Sequence, residues 1–188
     1  MKIAVISDIH DNVWNLQAAL EGMQDAEAMV CCGDLCSPFI VGLLGKGFPG
    51  RPIYLLFGNN DADTFRITRN AANFPDINIH AEFFDTELGG KKIAAVHYDN
   101  IAGALAESGC YDVVMYGHNH RFDIRPVGKT LLVNPGTLMG WSPLNPEGAR
   151  DIAATFAIYD TATGQAAGYQ VSTGSSGEKR ILPFGENS

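Results

Sequence analysis

The sequence predicts an α/β protein with two β-sheets and helices on the faces of the sheets. The first part of the chain alternates short apolar runs, typical of buried strands, with helix-like stretches, an order that indicates a largely parallel sheet. Further along, the pattern changes to strands paired by tight turns, which indicates a second sheet. At 188 residues the chain has the size of one domain and can bury an ordinary hydrophobic core.

The first predicted elements alternate between strand and helix. A strand is expected at residues 3–6 and a helix at 12–22, where Asn12 can cap the helix and Gly22 can end it. The same order then repeats twice along the chain. The further elements are strands at 28–32 and 53–57, a helix after Pro38 and a helix at 62–73.

The second half of the chain is richer in strands. A hairpin is expected over residues 82–97, because Gly89 and Gly90 supply the positive φ angles of a tight turn. The remaining elements are a helix at 101–108 and strands at 112–116, 122–126, 129–133, 153–159 and 166–171. We expect a single domain over residues 1–171 and a flexible tail over the Gly- and Ser-rich residues 172–188.

The composition is that of a soluble, acidic, globular protein. The chain carries 13 Lys and Arg against 21 Asp and Glu, a formal net charge of −8, and has no basic stripe with which to neutralise nucleic-acid phosphates. No apolar run approaches the ~20 residues of a membrane span, and the first residues turn polar too early for a signal peptide, so a cytoplasmic location is expected. Reduced thiols, rather than disulfides or zinc ligands, are expected at Cys31, Cys32, Cys36 and Cys110.

Several apolar strands run directly into a residue that can bind a metal ion. Because the carboxyl ends of the strands in an open α/β sheet lie along one edge, these residues can converge. They are Asp8 and His10 after the first strand, Asp34 after the second, Asn59 and Asp61 after the third, His97 after the hairpin, and His118 and His120 after the next strand. A further histidine, His80, is expected to be an exposed loop residue.

The spacing and the chemistry of these residues favour a metal site. Asp8 and His10 are two positions apart, so both point to the same side of an extended segment, and the same holds for His118 and His120. A mixture of imidazole, carboxylate and amide donors favours Mn, Fe, Zn or Ni over Ca. One ion rarely takes so many ligands, which favours two ions that share a carboxylate.

The ordered set of motifs resembles that of the calcineurin-like metallophosphoesterases. The matches are Asp-x-His (Asp8, His10), Gly-Asp (Gly33, Asp34), Gly-Asn-x-Asp (Gly58, Asn59, Asp61), a histidine after a strand (His97) and Gly-His-x-His (Gly117, His118, His120). The segment Asn134-Pro135-Gly136-Thr137 is similar to an Asn-Pro-Gly-Ser segment of the small bacterial and archaeal phosphodiesterases. Any one motif alone has many false positives, so the resemblance depends on the whole set.

The resemblance implies a fold, a ligand set and a reaction. The family fold is a pair of β-sheets stacked face to face with helices outside, a four-layer αββα arrangement. The implied ligands are Asp8, His10, Asp34 and His120 for one metal ion, and Asp34, Asn59, His97 and His118 for the second. Two divalent ions, manganese first and iron, zinc or nickel as alternatives, would hold a bridging hydroxide that attacks the phosphorus of a small phosphoester substrate.

The resemblance also implies catalytic and substrate-binding residues. Asp34, Asn60 and Asp61 are the expected catalytic residues, and Asn60 and Trp141 the expected substrate contacts, although Trp141 is as well suited to cover the core or to form an oligomer contact. Larger family members have a histidine that helps the leaving group at the position of Asn60, whereas an amide cannot deliver a proton. The chain also departs from the family after His97, where the family often has Gly-His.

Three functions remain open from the sequence. A phosphodiesterase is expected first, and a phosphomonoesterase or nucleotide phosphatase with the same site is the nearest alternative. The third is a non-catalytic, protein-binding scaffold, because the retromer scaffold subunit is similar to this branch with a degraded site. The complete ligand set of this chain favours catalysis, and a homo-oligomer is a further expectation.

Overall fold

The computed structural model of the protein describes residues 1–142, 148 and 150–185. These residues form a seven-stranded sheet, a five-stranded sheet and a short two-stranded ribbon. The helices are α1 (Val13–Gly22), α2 (Ile40–Gly47), α3 (Thr64–Ala71) and α4 (Asp99–Glu107). In the part of the chain described, none of the helices combines the length and the apolar character that a membrane crossing requires.

The strands of the seven-stranded sheet come from both ends of the chain. In spatial order they are β14 (Lys179–Phe184), β13 (Gln165–Thr173), β12 (Ala154–Asp160), β1 (Lys2–Ile6), β2 (Ala28–Cys31), β3 (Ile53–Leu55) and β4 (Ile77–Ile79). The strands from β1 to β4 are parallel, and β12, β13 and β14 continue the sheet as antiparallel strands.

The five-stranded sheet is built around three parallel strands. Its spatial order is β5 (Phe83–Leu88), β6 (Lys91–Val96), β7 (Val113–Met115), β9 (Thr130–Pro135) and β8 (Phe122–Val127). The strands β6, β7 and β9 are parallel, and β5 and β8 pair with the edges in antiparallel fashion. The remaining strands, β10 (Trp141–Ser142) and β11 (Arg150–Asp151), form the ribbon.

The two large sheets stack face to face, with helices on the outside. Successive side chains of a strand point to opposite faces of its sheet. Ile3 and Val5 of β1 accordingly pack against the second sheet, in a core with Ile93 of β6. Ala4 and Ile6 of the same strand belong to the core under α1, α2 and α3, and α4 covers the outer face of the second sheet. The predicted pair of stacked sheets flanked by helices is confirmed.

Most of the predicted elements are present at nearly the predicted bounds. Asn12 caps α1 as expected, since its side-chain oxygen accepts a hydrogen bond from the backbone N–H of Asn15 at 3.1 Å. Gly22 is the last residue of α1, and the cap follows at Met23. The sequence contains no signal for β4, because its two isoleucines are separated by Asn78 and form no apolar run.

The expectation of a flexible tail over residues 172–188 is wrong for Lys179–Phe184, which form β14. This strand pairs with β13 in register from Gly168 to Thr173, and the ring of Phe184 lies edge-on against Phe122 with centroids 5.0 Å apart. The Gly- and Ser-rich residues between the strands form a turn, in which the N–H of Gly174 bonds to Glu178. The composition that suggested disorder therefore belongs to a hairpin turn.

Ending the chain after Gly174 should lower the free energy of unfolding by about 2–5 kcal/mol, because the ladder of β14 and its packing are lost. Urea denaturation measured by circular dichroism gives this value, and the control is a chain that ends after Gly185. Equal unfolding free energies for the two chains would show that β14 contributes nothing.

Candidate metal centre

The loops that follow five strands meet at one end of the stacked sheets. The loop after β1 is joined to the loop after β2, because the N–H of Asp8 bonds to the carbonyl of Gly33 at 3.0 Å. The loop after β7 is joined to both sheets: Gly117 donates to the carbonyl of His97, and the N–H of His118 donates to Asp8 Oδ2, each at 3.0 Å. Residues from distant parts of the chain are thereby brought into one cluster.

The first group of donor atoms gathers around Asp8 Oδ1. His10 Nε2 lies 3.8 Å and His120 Nε2 3.4 Å from this oxygen, and the two nitrogens are 3.2 Å apart. Asp34 Oδ2 lies 3.4 Å from His10 Nε2. Ligand atoms bound at ~2.1 Å to one cation are separated by roughly 3.0–3.5 Å, and by more where two ligands lie at a wider angle, so these spacings fit a shared ion.

The second group lies on the other side of Asp34 Oδ2. This oxygen is 3.5 Å from His97 Nε2, which is 3.0 Å from Asn59 Oδ1. Asn59 Oδ1 is in turn 2.9 Å from His118 Nδ1. The structure thus brings all seven predicted ligands together in two groups, and Asp34 Oδ2 is common to both.

The chemistry of Asp8 shows that these residues fit divalent cations. Asp8 is fully buried, and within the described part of the chain its Oδ1 has no hydrogen-bond partner. An unpaired buried carboxylate oxygen is costly, and a cation among the donors would satisfy it. Burial by itself would raise the pKa of Asp8, but the neighbouring imidazoles of His10 and His120 outweigh burial and hold the pKa well below its usual value. The carboxylate is therefore ionised and ready to bind a cation.

Three of the four histidines are oriented by contacts at Nδ1, which leave Nε2 to face the donor groups. His97 Nδ1 bonds to the carbonyl of Cys32 at 2.7 Å and His120 Nδ1 to the carbonyl of Trp141 at 2.8 Å. His10 Nδ1 contacts the sulfur of Cys36 at 3.4 Å. A proton on Nδ1 leaves the Nε2 lone pair free for a metal ion, the tautomer that metal-binding histidines use.

The backbone of the cluster is strained. Asp8, His10, Asp34, His118 and His120 all have positive φ, between 42° and 70°. Each such conformation costs on the order of 1 kcal/mol or more in a residue with a Cβ, and such residues concentrate at functional sites.

Two glycines of the motifs are required because side chains of the cluster lie directly against the backbone. A Cβ on Gly58 would overlap Asp34 Oδ1, and a Cβ on Gly117 would overlap the hydroxyl of Ser7. These glycines therefore allow the loops to close around the buried carboxylates.

Asn60 and Asp61, the remaining expected catalytic residues, both act on the loop of Asp34. The backbone N–H of Asn60 donates to Asp34 Oδ1 and its side-chain Nδ2 donates to Oδ2, both at 2.8 Å. The buried carboxylate of Asp61 accepts hydrogen bonds from the backbone N–H groups of Asp34, Gly58 and Cys36 at 2.7–2.9 Å. Asp61 therefore holds the loop after β2 and the loop after β3 together.

The Asn134-Pro135-Gly136-Thr137 segment, for which the sequence predicted no structural role, joins two loops of the site. Asn134 is fully buried, and its Nδ2 donates to the carbonyl of Gly117 and to the side chain of Asn119. The hydroxyl of Thr137 donates to the carbonyl of Asp8 at 2.7 Å. The segment therefore joins the loop of His118 to the loop of Asp8. In the sequence, the polar side chains of Asn134 and Thr137 at its two ends were the feature that could have indicated this role.

The structure also gives the positions of Trp141, His80 and Tyr98. Trp141 lines the hollow in front of the donor atoms with 36% of its surface exposed. His80 is not an exposed loop residue as expected, because its ring is partly buried between Tyr54 and Phe84. After His97, where the chain departs from the family pattern, Tyr98 packs edge-on against the rings of both His97 and His118.

A two-sheet α/β fold that collects carboxylate and imidazole donors at its strand ends is typical of a metal-binding protein. Comparison with known families then identifies the chain: the model of the calcineurin-like phosphoesterase superfamily domain matches residues 1–164, and the protein belongs to this family. It is therefore a metal-dependent phosphoester hydrolase, as predicted, and divalent metals are its cofactors.

Individual relatives support this assignment. The chain is 32% identical over 147 residues to a phosphodiesterase of Methanocaldococcus jannaschii, a match that covers 75% of this chain and 86% of the relative. A solved archaeal phosphodiesterase is similar with a TM-score of 0.74 and 25% identity, over 98% of this chain and 100% of that one. The Vps29 protein of Entamoeba histolytica in complex with Zn²⁺ has the same fold, with a TM-score of 0.66 and 17% identity over 98% and 100% of the two chains.

Replacing Asp61 with Asn should lower the free energy of unfolding by about 1–3 kcal/mol and reduce hydrolysis, because one face of an amide donates and would oppose a backbone N–H. Urea denaturation in the presence of a chelator measures the loop contacts without the metal. The control is Asp25→Asn, a change of the same chemistry at an exposed position; an equal effect of both changes would contradict the role given to Asp61.

Proposed function

We propose that the protein binds two divalent cations, manganese first, and hydrolyses phosphodiesters. The observation that carries the proposal is that Asp34 Oδ2 lies 3.4 Å from His10 Nε2 of one donor group and 3.5 Å from His97 Nε2 of the other. Divalent cations held by the residues of the two donor groups would supply activation of water and stabilisation of the charge that develops on the phosphoryl oxygens.

The residues around the hollow support reliance on cations for substrate binding. Pocket-lining residues in the described part of the chain include neither Lys nor Arg; they are His10, Asp34, Asn59, Asn60, His118, His120, Met139 and Trp141. The protein itself has a net charge of −8. The positive charge that attracts an anionic substrate must therefore come from the metal ions.

The same lining favours a diester over a monoester. A monoester carries up to two negative charges at neutral pH, whereas a diester carries one and has a second organic group. The hollow has a volume of about 300 Å³, and its apolar lining residues are Met139 and Trp141. An apolar wall beside a site without cationic side chains suits the second organic group of a diester.

Asn60 is proposed to hold Asp34 and to contact the substrate, but it cannot protonate a leaving group. Its amide already donates to Asp34 Oδ2, and an amide has no titratable proton near neutral pH. The substrates best served by this site therefore have leaving groups that depart without a proton from the protein.

A monoesterase and a protein-binding scaffold remain the alternatives. A Vps29 protein has the same fold, but both donor groups are complete in this chain, which favours catalysis. The manganese identity, the cytoplasmic location and the homo-oligomer stay predictions.

Replacing His10 or Asp34 with Ala should reduce Mn²⁺-dependent hydrolysis of an aryl phosphodiester by more than about 100-fold, since even residues behind the ligands of a metal site contribute up to that much. Metal analysis of the purified variants should find fewer metal ions per chain than the two that are expected for the natural protein. The control is His80→Ala, a histidine outside the cluster. A natural protein that binds no metal and hydrolyses no ester would favour the scaffold.

Replacing Asn60 with His should increase hydrolysis of alkyl phosphodiesters relative to aryl phosphodiesters by at least about tenfold, because an imidazolium can protonate a poor leaving group. The ratio of kcat/KM for the two substrates is the measurement, and Asn60→Gln, which adds no acid, is the control. An unchanged ratio in Asn60→His would show that leaving-group protonation does not limit this enzyme.

A further inference from the structure

The apolar wall of the hollow stands on the stretch of backbone that leads from β9 to Trp141, the first residue of β10. We call residues 138–141 the wall segment; Met139 and Trp141 belong to it, and it begins three residues beyond the end of β9. Backbone carbonyls outside a regular sheet or helix need other hydrogen-bond partners when they are buried. The position of the wall therefore depends on the groups that bind these carbonyls.

Two asparagine side chains from the start of α1 bind consecutive carbonyls of the wall segment. Asn15 Nδ2 donates to the carbonyl of Leu138, and Asn12 Nδ2 donates to the carbonyl of Met139, both at 2.9 Å. The oxygen of Asn12 is held by the helix itself, because it accepts the N–H of Asn15. Helix α1 thus fixes the wall segment from behind.

A lysine of the C-terminal strand determines the orientation of the Asn15 amide. Lys179 Nζ lies 2.9 Å from Asn15 Oδ1 and 2.9 Å from the hydroxyl of Thr173. An ammonium group only donates and a carbonyl only accepts, so Asn15 must turn its oxygen to Lys179 and its nitrogen to Leu138. Asn15 is buried, with 7% of its surface exposed, and both ends of its amide are paired.

The other end of the wall segment is attached to a metal ligand. The carbonyl of Trp141 accepts the hydrogen bond from His120 Nδ1 at 2.8 Å. The wall is therefore held between α1 on one side and the donor cluster on the other.

We propose that Asn15, oriented by Lys179, is a positioning residue that sets the distance between the apolar wall and the metal centre, and thereby the affinity for the second organic group of a diester. The proposal rests on the proposed function. Because Asn15 contacts neither the donor atoms nor the reacting phosphorus, its loss affects substrate binding more than the chemical step or the bound metal.

The test uses Asn15→Asp, which keeps the shape of the side chain but puts a carboxylate oxygen against the carbonyl of Leu138. For a diaryl phosphodiester, we expect KM to rise about tenfold, with kcat changed less than about twofold and the metal content unchanged. Gln17→Glu adds the same charge to an exposed position of the same helix and should leave KM unchanged. Lys179→Met, at an exposed position, should raise KM in the same direction and covers the case in which Asn15→Asp does not fold.

A double-mutant cycle separates positioning from general damage to the fold. In a background that carries both Met139→Ala and Trp141→Ala, Asn15→Asp should change KM by less than about twofold, because both side chains of the wall are already removed. An undiminished effect in that background, or a fall in kcat and metal content with KM unchanged, would overturn the proposal.

The inference can fail separately from the proposed function. If the natural protein hydrolyses no phosphodiester, the proposed function fails, and the wall is then followed by the fluorescence of Trp141 in a Trp14→Phe background. A shift of the emission in Asn15→Asp supports the positioning role, and an unchanged emission overturns it.

Discussion

The whole site depends on one buried carboxylate oxygen, Asp34 Oδ2, that lies between two sets of nitrogen and oxygen donors. It has His10 on one side and His97 on the other, each about 3.5 Å away. The neighbouring loops keep this oxygen in place. Asn60 donates two hydrogen bonds to the carboxylate, and Asp61 accepts a hydrogen bond from the backbone N–H of Asp34. A shared oxygen can join two cations only if its position is set to within a fraction of an ångström.

Without cations, this arrangement lowers the stability of the folded protein. Asp8 and Asp34 are both buried, and like charges close together in a medium of low dielectric repel each other. The left-handed backbone of five residues of the cluster adds further strain. Both costs fall on the loops, while the strands that precede these loops are mostly buried. The core under α1, α2 and α3 extends into the loops through the buried side chains of Ile9, Leu35 and Leu138, and this packing helps to hold the loops in place.

In the proposed function, metal binding and substrate binding belong to different parts of the chain. The donors follow strands from both sheets, whereas the apolar wall stands on the loop after β9 and is held by α1 and the C-terminal hairpin. The two parts are joined by the hydrogen bond from His120 to the carbonyl of Trp141 and by hydrogen bonds from the N–H groups of Leu138 and Met139 to the carbonyls of Ser7 and Asp8. Function depends on such a site rather than on the fold alone.

The sequence by itself determined the fold class, most of the strands and helices, and the identity of the seven clustered donors, because apolar periodicity and the placement of polar residues at strand ends are local properties. Only the tertiary structure decided which atoms face one another, such as Nδ1 of His118 but Nε2 of His97. It also decided that residues 179–184 complete a sheet, that His80 is packed between rings, and that the side chain of Asn15 binds the carbonyl of Leu138. These features depend on contacts between residues that are far apart in the sequence, such as Asn15 and Leu138, which are separated by more than 100 positions. Such contacts leave no periodic signal in the chain.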